Sequence, residues 1–255
     1  MPDSCDKKLS PNPDAEQPEP DKRRAMLFKA WRLLLILSVC IHLFPIRTGL
    51  IRVALVLSTL LVWIGLPFWI NYRASRVAWC LTSLIVIALV FGPGRPDVPG
   101  ALRCEYVQSL RNYTGVFYIW GGESSRGIDC SGLVRVGLID ANFRRGVLTL
   151  NPKLIREGIA LWWYDSSADA LMKEYRGNSK RLLDTKGLNF MDYSRIAPGD
   201  FAVSESGLHT LAYLGEHTWI EADPNRRHVV CVTCPSPDIW FSTPMRLMRW
   251  RQLEN

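Results

Sequence analysis

The chemistry legible in this chain starts from one thiol. Cys130 stands where a loop rich in Gly and Ser, residues 121–127, gives way to the apolar run Leu133–Ile139. A run of that kind continues as a helix, so Cys130 is expected at a helix N-terminus. There, unpaired backbone N–H groups and the positive end of the helix dipole favour the thiolate, the reactive form. The Cys130 N–H itself is placed to donate to a developing oxyanion. A thiolate that transfers acyl groups needs a partner to hold and return a proton, and histidine suits that task near neutral pH. The chain has four histidines. His42 lies in an apolar run. His217 falls at a hairpin turn and reads as a solvated loop residue. His228 opens a strand beside Cys231 and Cys234, with an open role. His209 opens the stretch His-Thr-Leu-Ala-Tyr-Leu-Gly215.

The elements that must position these groups follow from periodicity and punctuation. Leu102–Leu110 suits a helix before the glycine loop, and the Cys130 helix comes next. Residues 141–196 are of mixed character, with a capping box expected at Ser166–Asp169 and a short apolar face behind it. Ala197-Pro-Gly-Asp200 marks a turn. Phe201–Ser204, His209–Leu214, Thr218–Ala222 and His228–Val232 read as strands. An early helix followed by an antiparallel sheet is an α+β arrangement.

Before this region the composition changes. No Asp or Glu occurs from Lys22 to Pro96, and three apolar runs lie there: Leu33–Phe44, Val53–Ile70 and Val77–Phe91. They read as membrane-crossing helices near 27–45, 52–70 and 76–91, so the lipid bilayer is an expected partner. Basic residues precede the first run and lie between the second and third, which places the N-terminus inside and everything after Phe91 outside. Arg47 and Arg52 sit on the outer loop and dilute that bias. Residues 1–21 read as a disordered tail and 92–100 as a Pro/Gly linker, leaving 101–255 as the catalytic region.

The net charge of +7 is largely spent on membrane flanks, and no basic stripe with interleaved aromatics points to nucleic acid. Seven cysteines are present. Cys231 and Cys234 lack the further ligands a zinc site needs, so no metal or other cofactor is expected. A disulfide among Cys104, Cys231 and Cys234 is compatible with an oxidising compartment, without a preferred pairing.

Tyr118, Trp120, Gly121, Gly122, Gly127, Asp129, Cys130, Ser131 and Gly132 together resemble the cysteine motif of the NlpC/P60 family of bacterial cell-wall peptidases, which have a papain-like fold. Pro198-Gly199-Asp200, followed by His209, Tyr213 and Gly215, is similar to the family's histidine motif. The resemblance implies that Cys130 is the nucleophile and His209 the base. It implies a third residue on the following strand that orients the histidine, often another histidine. Here that place is held by Glu221, whose carboxylate would serve the same end. Asp223, expected on the opposite face of the strand, is the lesser candidate. Tyr118 would add a hydroxyl beside the nucleophile. Asp129 and Ser131 would recognise the free amine of a short peptide, although Asp129 is also suited to capping the helix.

The activity implied is hydrolysis of peptidoglycan stem peptides at the γ-D-glutamyl-diamino acid bond, through a thioester, by a multi-pass protein of the bacterial inner membrane with its catalytic region periplasmic or extracellular. Two alternatives stand beside it: an amidase or acyltransferase acting on another amide or a lipid, and a membrane protein that binds wall peptides without turnover. The segment 141–196 looks long for the family. Its cluster Leu161-Trp-Trp-Tyr164 fits either a wall of the cleft or an extra helix on the core.

Overall fold

The structure, a computed structural model, describes residues 22–98 and 100–254. The expected tail 1–21 lies outside the described residues. Three helices come first: α1 (Lys22–Leu43), α2 (Gly49–Trp69) and α3 (Arg73–Phe91). Each is long and apolar enough to cross a membrane. Their leucines, isoleucines and valines face outward, as in Leu33, Leu57, Ile64, Leu84 and Ile85. Outward-facing aliphatics on a long helix suit lipid. The helices begin before the apolar runs, α1 by 11 residues and α2 and α3 by 4 each, because the flanking segments with their basic residues continue the helical backbone.

The remainder is α+β. Helix α4 (Ala101–Arg111) leads to a small ribbon, β1 (Glu123–Ser124) and β2 (Gly127–Ile128), and then to α5 (Cys130–Leu148), α6 (Pro152–Trp163) and the short α7 (Ala168–Met172). Six antiparallel strands follow: β3 (Ser179–Thr185), β4 (Phe201–Ser204), β5 (Thr210–Gly215), β6 (Thr218–Asp223), β7 (His228–Thr233) and β8 (Met245–Trp250), in spatial order β3-β8-β4-β5-β6-β7. The central strands β4 and β5 are buried on both faces. Phe201, Val203, Ala212, Leu214 and Ile220 pack toward α4 and α5, with Tyr106, Leu110, Leu133 and Leu138. Ala202, Leu211, Tyr213 and Trp219 point the other way, onto Leu188, Phe241 and Leu247. Gly137 lets α4 and α5 come close, since a Cβ there would lie 2.8 Å from Leu110.

Strands β3 and β8 add to the four strands legible from the sequence. β3 carries Lys180, Arg181 and Asp184 at the sheet edge, and a bulge between Arg181 and Leu183 breaks its alternation. In β8 the buried positions do not strictly alternate. Neither therefore shows the period-two pattern that marks a strand. The residue that caps α7 is Ser167, which accepts from the Ala170 N–H at 3.2 Å, not Ser166 as expected from the capping box.

Candidate active site

Cys130 is the first residue of α5, and the preceding Asp129 is its N-cap. Asp129 Oδ1 accepts from the Gly132 N–H at 2.6 Å and from the Ser131 hydroxyl at 3.0 Å, and Oδ2 accepts from the Gly121 N–H at 2.8 Å. The carboxylate thus ties the helix start to the glycine loop, satisfying N–H groups the helix leaves orphaned. Gly132 permits this closeness: a Cβ there would lie 2.4 Å from the Gly122 carbonyl oxygen. The Cys130 side chain is buried, its sulfur 3.8 Å from the Leu208 carbonyl oxygen.

His209 stands immediately before β5, with its ring 1% exposed. Its backbone N–H donates to Ser204 Oγ at 3.0 Å, which fixes the chain where the strand begins. His209 Nε2 lies 2.6 Å from Glu221 Oε2, and Glu221 is fully buried. With Nε2 engaged by the carboxylate, Nδ1 is the nitrogen left to meet Cys130, the other side chain that hydrogen-bonds the ring. Burial works against a charged ring. The Cys130 sulfur and then Glu221 outweigh it, and push the His209 pKa up from 6.5 to about 9. This favours an imidazolium at neutral pH. Trp240, in a 3-10 turn at Ile239–Ser242, stacks on the ring with centroids 4.2 Å apart and an angle of 21°.

Asp223 is two residues from Glu221 and so shares its face of β6, contrary to the expectation that it points away. Glu221, Asp223 and Asp238 bring carboxylate oxygens within 4.8 Å of one another. Arg226 spans the latter two, at 3.2 Å and 3.1 Å, and supplies compensating charge. Burial, with Asp238 and Asp223 adding to it, raises the Glu221 carboxyl, while His209 pulls it down. Tyr118 lies close enough to Cys130 and Asp129 to feel both. Burial and those two charges push its hydroxyl up to about 12, so it stays protonated and remains a donor.

A second set of charges, not foreseen from the sequence, holds the loop in front of Cys130. Arg52 Nη2, from α2, donates to both carboxylate oxygens of Glu123, at 2.7 Å each, and Glu123 also pairs with Arg135 in α5. Arg135 reaches Asp165 at 2.7 Å. Arg52 and Arg135 are each only 1% exposed. Burial raises the Glu123 carboxyl, opposed by the two arginines. Arg52, which dilutes the charge bias of the helix flanks, is therefore engaged by the glycine loop. The signals available in the sequence were Arg52 at the edge of the run Val53–Ile70 and Arg135 among Leu133–Ile139. The segment Pro45–Thr48 between α1 and α2 docks beside it: the Arg47 N–H donates to the Gly121 carbonyl at 3.2 Å, and the Glu123 N–H to the Pro45 carbonyl at 3.1 Å.

A cleft of about 240 Å³ opens here, lined by Ile46, Thr48, Trp120, Asp129, Ser131 and Ser167 among others. The Leu161–Tyr164 cluster takes the second of the two expected roles, packing on the core through Leu161 and Trp162, and none of its four residues lines the cleft. Leu161 is buried on the core at the end of α6, while the residues just after the cluster, Asp165–Ser167, line the cleft. Cys104, Cys231 and Cys234 are free thiols, so the disulfide entertained from the sequence does not form. The Cys234 sulfur instead accepts from the Tyr193 hydroxyl at 2.8 Å.

The family model of NlpC/P60 matches residues 115–247, just over half of the chain and including Tyr118, Cys130, His209 and Glu221. The chain belongs to the NlpC/P60 family. Members of this family are generally hydrolases, peptidoglycan cysteine peptidases. Among solved structures, this NlpC/P60 chain is similar to NlpC1 from Trichomonas vaginalis, with 19% identity over 61% of this chain and 45% of that one, TM-score 0.37. It is similar to an NlpC/P60 family protein from Bacillus cereus, with 17% identity over 65% of this chain and 43% of that one, TM-score 0.40. It is also similar to the peptidoglycan hydrolase RipB from Mycobacterium tuberculosis, with 15% identity over 75% of this chain and 90% of that one, TM-score 0.38. The chain spans less than half the length of NlpC1 from Trichomonas vaginalis. No curated protein matches it.

Proposed function

We propose that this chain is a membrane-anchored cysteine peptidase that hydrolyses peptidoglycan stem peptides. In this reading residues 22–91 are the anchor, 92–100 the linker and 101–255 the catalytic domain, with the segment near 141–196 inserted. The observation that carries it is the buried 2.6 Å bond between His209 and Glu221, with Cys130 at the start of α5 on the other side of the ring. That arrangement supports a Cys-His-Glu triad.

The chemistry follows from the geometry. The Cys130 thiolate attacks the amide carbonyl, and the developing oxyanion is met by the Cys130 N–H and the Tyr118 hydroxyl. His209 carries a proton on Nδ1 and gives it to the leaving amine as the C–N bond breaks. A thioester on Cys130 remains. His209, now neutral, takes a proton from water as it attacks, the C–S bond breaks, and the acid product and thiolate are released. Glu221 holds the tautomer and stabilises the imidazolium. Ser131 and Asp129 sit beside the nucleophile and are proposed to meet the free amine of the stem. Asp129 does so with a carboxylate whose two oxygens already organise the loop.

Contacts at the helix ends support a three-span anchor with the catalytic region outside. Arg156 donates to the carbonyls of Val90 and Gly92 at 2.9 Å and 2.8 Å, next to the end of α3, while the α1–α2 segment docks on the glycine loop. Both ends therefore lie on one side of the helices, as an odd number of crossings requires. The full chain in lipid vesicles, given muropeptides and followed by mass spectrometry, should release fragments cut after γ-D-glutamate. Cys130→Ala should release none. Uncut muropeptides with the parent chain would overturn the proposal.

A further inference from the structure

The cleft lined by Asp129 and Ser131, the two chain neighbours of Cys130, is not built by the catalytic region alone. Ile46 and Thr48, from the five residues between α1 and α2, line it together with Trp120, Asp129 and Ser131. Ile46 pairs with Gly122 as an added antiparallel bridge. The same loop is held by Asp129, whose Oδ2 accepts from the Gly121 N–H, and by the Arg52–Glu123 ion pair. The helical hairpin and the nucleophile are thus joined through one short segment, by a buried ion pair and two backbone hydrogen bonds.

The position of that wall sets the height of the cleft. α1 ends at Leu43 and α2 begins at Gly49, so a ligand touching Ile46 and Thr48 lies within one turn of two apolar helices. Leu50, in the first turn of α2, is 85% exposed, and Trp120 on the cleft is 82% exposed. An exposed Trp beside the end of a membrane helix belongs at headgroup depth. At about 240 Å³ the cleft is also smaller than the roughly 300–1,000 Å³ of a site that encloses a whole small ligand. It suits the end of a longer molecule.

From these observations we infer that the α1–α2 loop is a wall of the substrate site, and that the site takes its amide from a peptide tethered to the membrane, presented at the bilayer surface. The inference rests on the peptidase reading above and names its substrate class: a lipid-linked stem peptide. Ile46 and Thr48 are specificity-determining contacts, and Arg52 is a positioning residue that acts through Glu123.

The test uses the full chain in vesicles of phosphatidylethanolamine and phosphatidylglycerol. One stem peptide is offered in three forms: free, joined to a palmitoyl anchor by a spacer of about 10 Å that just clears the headgroups, and joined by a flexible spacer of about 60 Å. A cleft at the surface cuts the short-tethered peptide at least about tenfold faster than the long-tethered one, because slack lowers the effective concentration at that depth. Simple co-localisation with a cleft held high above the bilayer gives the opposite order, and overturns the inference. Cleavage of the free peptide with none of the short-tethered one also overturns it while leaving the peptidase reading intact. No cleavage of any form removes both. Thr48 is exposed and makes no capping hydrogen bond, so Thr48→Trp narrows the cleft with the fold kept. KM for the short-tethered peptide should rise about tenfold with kcat little changed. An unchanged KM shows that the loop is no wall.

Discussion

Replacing Glu221 by Gln keeps the shape of the partner to His209 and removes its charge. The His209 ring is 1% exposed, with Glu221 at 2.6 Å, and its pKa stands at about 9 against an ordinary 6.5. That elevation corresponds to about 3 kcal/mol in favour of the imidazolium, at about 1.4 kcal/mol per pH unit. Cys130 and Glu221 supply it against the cost of burial. A raised histidine pKa contributes stability that is fully present below 6.5 and is lost as pH rises through about 9. In Glu221→Gln only Cys130 still opposes burial, so that loss should begin at least about one pH unit lower. The alkaline limb of kcat/KM, which reports the proton on His209 needed by the leaving amine, should move down with it. At pH 7 the rate should fall by about a hundredfold or more, the scale of a general acid that is wrongly charged or wrongly held. The assay is muropeptide cleavage across pH 5–10 in vesicles, with thermal unfolding of the same samples by tryptophan fluorescence. An alkaline limb left near 9, with kcat/KM within about threefold of the parent, would refute the orienting role of Glu221.

Glu123→Gln leaves the buried Arg52 and Arg135 to share Asp165, at 3.5 Å and 2.7 Å, as their carboxylate and should cost about 3–5 kcal/mol of stability, whereas Arg52→Met leaves Glu123 paired with Arg135 and should cost less; thermal melts in the reverse order would discredit the network. Gly132→Ala pushes a Cβ against the Gly122 carbonyl and should lower stability by about 1–3 kcal/mol, with weaker thiol reactivity at Cys130, both read in one melt and one iodoacetamide time course. Tyr118→Phe should reduce kcat about tenfold at constant KM if its hydroxyl meets only the oxyanion. A rise in KM instead would assign it to substrate binding. Cys130→Ala should abolish the acyl-enzyme seen by intact-protein mass spectrometry.

What was legible in the sequence was what short range dictates. The Gly/Ser loop followed by an apolar run puts Cys130 at the start of α5, and Asp129 one residue earlier is a capping residue by type. Four strands were legible because β-branched and aromatic stretches lie between clear turns. Three long apolar runs without acids announced α1–α3. β3 was hidden because its edge position is charged and its bulge breaks the period.

Partnerships across distance were another matter. Residue type and likeness to the family pointed to Glu221, but only the pairing of β5 with β6 brings it to 2.6 Å from His209. Nothing local foretells that Trp240 covers the ring from 31 positions downstream in the chain. Arg52 makes the point most clearly. An arginine in an apolar helix reads the same whether it snorkels to headgroups or forms an ion pair, because both satisfy its charge. Its partner Glu123 lies 71 residues away. The sequence by itself determined the nucleophile's electrostatic setting and the apolar helices, since both are written in neighbouring residues. Tertiary structure alone decided that the loop joining the first two of these helices lines the cleft and that Arg52 pairs with Glu123, since burial of a charge is fixed only by what folds against it.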